Sequence, residues 1–109
     1  MATYDYSNIN SYPFIRRVQI NDTATKIIIP PAATRVSIGS VNALHFANDG
    51  GDDGDEFGDT GNVITNFSFI PANNILPIDM ETGRQSNRVL LVGTQSGSSY
   101  LSIIIEKVK

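Results

Sequence analysis

Six of the eleven acidic residues, Asp49, Asp52, Asp53, Asp55, Glu56 and Asp59, fall within eleven consecutive positions. Such a run can in principle supply the six to eight hard oxygens that Ca²⁺ takes. The order is wrong for the helix–loop–helix calcium loop, however. Counted from Asp49, the third ligand position is Gly51 and the twelfth, where a bidentate glutamate belongs, is Thr60. Counted from Asp53, the fifth position is Phe57. Like charges repel along the run, and its four glycines raise the entropy lost on ordering it. The segment therefore reads as a solvated acidic loop, and no metal is assigned to it.

The other chemical candidates are thinner. His45 is the single histidine, and a catalytic histidine needs a nucleophile and an orienting acid that nothing in the sequence places beside it. Gly93-Thr-Gln-Ser-Gly97 misses the Gly-x-Ser-x-Gly elbow by one position. Asp79 and Glu81 form an alternating carboxylate pair, the residue types of glycoside hydrolysis, but at a strand end they read as a solvated face. No catalytic residue, cofactor-binding residue or metal ligand is therefore named, and the chain is not read as an enzyme. The remaining candidates are Tyr4, Tyr6, Ile9 and Tyr12, in a polar N-terminal stretch without alternation. Tyrosine gives contact area with a polar tip and is enriched at interfaces. These four are read as interface residues on an extended arm over residues 1–13, ordered by a partner.

The elements that must carry these residues are strands. Apolar residues recur with period two, β-branched types dominate, and no window of ten or more residues shows a helical stripe. Strands are expected at Phe14–Ile20, Lys26–Ile29, Thr34–Ile38, Val41–Ala47, Val63–Ile70, Asn74–Met80, Arg88–Thr94 and Tyr100–Val108. Gly39-Ser40 reads as a break and Pro77 marks an edge. The last two strands are expected to pair as a hairpin through Gln95–Ser99, with Leu91, Leu101, Ile103 and Ile105 facing the core. Leu44 and Phe46 are expected inward and His45 outward. Seven or eight short strands with frequent turn signals predict an antiparallel β-sandwich or jelly-roll-like barrel over residues 14–109.

Composition bounds the rest. A chain of 109 residues has room for one core. Without cysteine, disulfides and thiolate–metal sites are excluded, so a domain this small is expected to gain stability from oligomerisation or docking. No stretch approaches the roughly 20 apolar residues of a membrane span, and the N-terminus lacks the pattern of a secretory signal. The chain is thus expected to fold in a cytoplasm, without a membrane partner. The net charge of −3 divides unevenly. Outside positions 49–59 stand five acids against eight lysines and arginines, so a +3 body carries a −6 loop. The bases are scattered, with no basic stripe among aromatics, so nucleic acid is not an expected partner.

Three stretches together carry a resemblance. They are Ala24-Thr-Lys-Ile-Ile-Ile-Pro-Pro-Ala-Ala-Thr-Arg-Val-Ser-Ile38, the turn Phe69-Ile-Pro-Ala-Asn-Asn74, and the final apolar pair Val89–Ile105. In build the chain resembles the small β-sandwich accessory proteins of tailed bacteriophages, the head decoration or cement proteins especially. The resemblance covers residues 14–109 and does not include the acidic loop. It implies a structural virion protein assembled in the host cytoplasm, a homotrimer that binds and stabilises the shell of major capsid protein. The alternative implied is a tail- or fibre-associated module that contacts a host glycan or another virion protein.

Overall fold

A computed structural model describes residues 2–48, 54–81 and 86–107. Nine strands run in order: β1 (Ala2–Asp5), β2 (Phe14–Ile20), β3 (Thr25–Ile29), β4 (Arg35–Ser40), β5 (Leu44–Asn48), β6 (Ser68–Ile70), β7 (Asn74–Asp79), β8 (Arg88–Thr94) and β9 (Ser99–Glu106). No helix occurs among the described residues. The strands form a five-stranded sheet, β1-β3-β8-β5-β6, and a four-stranded sheet, β2-β9-β4-β7. β1 runs parallel to β3, and every other named pair is antiparallel. The all-β architecture expected from period-two patterning is the one observed.

The core lies between the sheets and follows from strand parity. Side chains two apart share a face, so Val36 and Ile38 of β4 point inward beside Leu101, Ile103 and Ile105 of β9. Ile27, Ile29, Leu44, Leu90 and Val92 meet them from the other sheet, each of the ten 5 % exposed or less. Leu76 and Ile78 of β7, and Met80 just after it, pack at the margin of this core, as their alternation predicts. Arg88, at the start of β8, ties the neighbouring loops to it. Its guanidinium donates to the carbonyls of Pro30 at 2.9 Å, Ala33 at 2.6 Å and Glu81 at 2.6 Å.

A second, smaller cluster lies on the outer face of the five-stranded sheet. Ala24, Ala47, Leu91 and Ile64 are buried there, with Phe57 and Phe67 packed against them. The covering segment is held by backbone bonds: Ala24 N–H donates to Asp55 O at 2.7 Å and Ile64 N–H to Glu56 O at 2.8 Å. Phe57 lies directly over Gly93, where a Cβ would stand 2.9 Å from the ring.

Four expectations are corrected. β8 and β9 are not a hairpin: β8 sits between β3 and β5, and β9 between β2 and β4, so the chain passes from the middle of one sheet to the middle of the other. Leu91 is buried, but in the outer cluster; by register its neighbours Leu90 and Val92 face the core. Gly39 and Ser40 do not interrupt a strand but complete β4. Glycine is required at 39 because a Cβ there would clash with the Asn74 carbonyl and stand 2.8 Å from Ile75 Cγ1 on β7. Of Val63–Ile70 only Ser68–Ile70 is a strand, with Ile70 inward and Phe69 outward, opposite in parity to the expected alternation. Val108 lies outside the described residues.

Ile103 is fully buried at the centre of the four-stranded sheet. Ile103→Ala is expected to destabilise the chain by about 2–5 kcal/mol, through lost burial and the cavity left behind. Urea unfolding of the two proteins checks this; a loss below about 0.5 kcal/mol would contradict the packing described.

Candidate functional site

The first residues, expected as an arm, add β1 to the edge of the five-stranded sheet, and residues 6–13 cross to β2 at the edge of the four-stranded one. Tyr4, Tyr6, Ile9 and Tyr12 are half-buried and pack against the main core. Tyr4 Oη donates to the Gln19 carbonyl at 3.0 Å, and the Tyr6 ring lies 4.9 Å from that of Phe14. Burial pushes the Tyr6 phenol up, neighbouring Tyr4 adds to the rise, and Arg16 opposes it. The first residues thus pack on their own domain, and the aromatic rings supply apolar area that offsets the ordering cost.

The residues singled out for chemistry do not converge. Asp49, Asp52 and Asp53 lie outside the described residues; Asp55 and Asp59 are exposed. No group of three metal-ligating side chains comes together among the described residues. Asp79 accepts from Arg35 Nε at 3.0 Å on an exposed surface, and the Glu81 carbonyl accepts from Arg88. Gly93 and Thr94 end β8, and Gln95–Gly97 lie in the turn between the sheets, closed by Thr94 Oγ1 donating to Gly97 O at 2.6 Å. His45 points away from the main core, as parity requires, and enters an aromatic cap. Its ring centroid lies 4.7 Å from Phe67, 5.1 Å from Phe69 and 5.2 Å from Phe57. Burial in this cap lowers its pKa below the ordinary 6.5. Asp22 and Glu56 line the small cleft beside it.

The most distinctive surface is one that sequence reasoning passed over, the outer face of the four-stranded sheet. Register places Ile15, Ile104, Ser37 and Pro77 in one row across the strands, and Arg17, Ser102, Gly39 and Ile75 in the next. Ile15 is 61 % exposed, Ile75 59 %, and Tyr100, beyond the second row, 47 %. The Arg17 guanidinium stacks on the Tyr100 ring at 4.1 Å. Small residues at 39 and 102 leave a shallow trough of about 270 Å³, walled by Ile75 and Val41 on one side and by Arg17 and Tyr100 on the other. The signal was in the sequence as apolar residues of the wrong parity: Ile15, Ile75 and Ile104 each adjoin an inward-facing apolar residue and so must face out.

The two outer faces thus differ in kind. That of the five-stranded sheet is covered by the chain's own segment 54–67; that of the four-stranded sheet is crossed by no other segment among the described residues and is partly apolar. The geometry suits docking. Comparison of the chain with protein-family models, with curated proteins and with solved structures finds no match.

Two outcomes follow from the packed groups. Tyr6→Ala is expected to lower the stability of the isolated chain by about 1–3 kcal/mol, less than a full core aromatic because the ring is only half-buried. A variant as stable as the parent in urea would show that the ring needs a partner to be ordered. For His45, a lowered folded pKa means the charged form is disfavoured in the fold. Its contribution is complete above the unfolded value of 6.5 and is lost as pH falls below that value and through the lower folded one. Between about pH 7.5 and 5.5 the parent should lose stability relative to His45→Gln, and the imidazole should titrate by NMR below its unfolded midpoint. A midpoint at or above the unfolded one would contradict the cap.

Proposed function

We propose that the chain is a structural protein of a tailed-phage virion, a decoration or cement protein that stabilises the head shell through protein–protein contact. One observation carries this reading: an exposed face with Ile15, Ile75 and Tyr100 projecting from a rigid four-stranded sheet. Exposed apolar residues gathered on one sheet face, rather than spread over the whole surface, mark a surface that another macromolecule covers. The resemblance of the strand and turn sequences to phage accessory proteins names the setting. A cement protein needs a folded, pre-organised surface and no bond-making chemistry. Repetition over a shell lets individually weak contacts act together.

The test is binding to the particle. Purified chain mixed with heads assembled without it should co-sediment, reach a plateau at a fixed ratio to the major capsid protein, and raise the temperature at which the heads open. Chain that stays in the supernatant at every concentration would overturn the proposal.

A further inference from the structure

Where the two sheets part beside the turn between β2 and β3, a cleft of about 400 Å³ opens to solvent. Tyr4 of β1 lines it from the five-stranded sheet, and Gln19 and Ile20 of β2 line it from the other. Asn21, Thr23 and Ser98 come from the adjoining turns, and buried Thr25, the first residue of β3, completes it. None of these residues lines the trough on the four-stranded sheet.

Thr25 is the odd member of its strand. It shares the inward parity of Ile27 and Ile29, both fully buried in the main core, and is itself 3 % exposed. A hydroxyl at such a position costs free energy unless it is paired. Thr94 and Ser40, buried near the same end, are paired, with the Gly97 carbonyl and the Ser99 hydroxyl. The Thr25 hydroxyl has no partner among the described residues, and Thr25 lines the cleft. The fold thus keeps a hydrogen-bonding group at the edge of its core for something that enters from outside.

The chemistry of the lining narrows the ligand. No carboxylate, ammonium or guanidinium lines the cleft, and the Tyr4 hydroxyl is already given to the Gln19 carbonyl at 3.0 Å. An ionic ligand would lose hydration there and meet no counter-charge. What the cleft offers instead is amides and hydroxyls, which donate and accept alike. Beside them stands one aromatic ring, able to cover the apolar face of a ligand whose rim is polar. We infer that the cleft binds a neutral saccharide, with the Thr25 hydroxyl as its buried anchor and the Tyr4 ring against one face of the sugar. The volume lies at the small end of ligand sites, roughly 300–1,000 Å³, and suits a mono- or disaccharide. This site stands apart from the docking role proposed above and does not rest on it.

The test follows amide chemical shifts of the full ¹⁵N-labelled chain as glucose, galactose, mannose or N-acetylglucosamine is added. Additions to about 50 mM cover the range in which a site with a Kd of about 1–10 mM saturates. At least one sugar should shift the amides of Thr23, Thr25 and Ser98 saturably and leave those of Ile75 and Ile104 unmoved. Glucuronate and adenosine should not. Thr25→Val keeps the shape of the side chain and removes the hydroxyl, so it should weaken binding at least about fivefold. The same variant, free of sugar, should melt no lower than the parent, because the group removed serves no bond within the fold. Tyr4→Phe, which keeps the ring, should bind as the parent does, and Tyr4→Leu should bind more weakly. Any of four results would overturn the inference: no saturable shift with any of these sugars, parental binding by Thr25→Val, a Thr25→Val that melts lower than the parent, or glucuronate or adenosine binding as well as the best sugar.

Discussion

The passage from β8 to β9 is the constraint on which the fold depends. Four residues, Gln95–Ser98, carry the chain from the middle of one sheet to the middle of the other. Thr94 Oγ1 bonds Gly97 O inside the turn, Gly97 takes the left-handed conformation that glycine allows, and the Ser40 and Ser99 hydroxyls meet across the exit. Because each strand enters a central place, each is flanked by two strands from distant parts of the chain. The two runs Leu90–Val92 and Leu101–Ile105 then face one another as the two walls of the core instead of lying side by side in one sheet.

Once those strands are placed, the outer faces have different fates. β8 is apolar on both sides, so Leu91 needs a cover, and the segment that leaves β5 comes back over it with Ile64 and Phe57. β9 alternates with Ser102 and Tyr100 on its outer side and tolerates exposure. Asp55, Glu56 and Asp59 belong to the segment that returns over the five-stranded sheet, where the Asp55 and Glu56 carbonyls accept from the N–H groups of Ala24 and Ile64. The apolar open face is thus on the other sheet from the described part of the charge cluster. A domain arranged this way can dock with one face while the acidic segment stays hydrated.

Strand identity was legible where local pattern decides it. Phe14–Ile20 and Arg88–Thr94 are the observed β2 and β8, because their alternation or continuous apolarity depends only on neighbouring residues. Pairing was not legible. Gln95–Ser99 has the composition of a hairpin turn, and nothing local distinguishes a turn within a sheet from one between sheets. Gly39 looked like a break because its reason lies 36 positions on, in Ile75, which rests where a side chain would stand. Val63–Phe67 looked like a strand because its apolar residues do pack, but against a sheet surface and not in a ladder. The open face shows the reverse case: Ile15 and Ile75 break the alternation in plain sight, and their meaning appears only when the register sets them on one face of one sheet.

The placement of β8 and β9 also orders events in time. Synthesis delivers strands from the N-terminus, yet the central members of both sheets are the eighth and ninth to emerge. Before residue 88 is made, only β1–β3, β4–β7 and β5–β6 have both partners available, and two-stranded pieces are marginal in water. The two sheets cannot close around a core until nearly all the described chain is present. Ile27–Ile29 and Val36–Ile38 therefore wait with one neighbouring strand each and their core faces uncovered, as aggregation-prone segments. Without β8 and β9, neither sheet has more than two of its strands joined, and the two walls of the core have no centre.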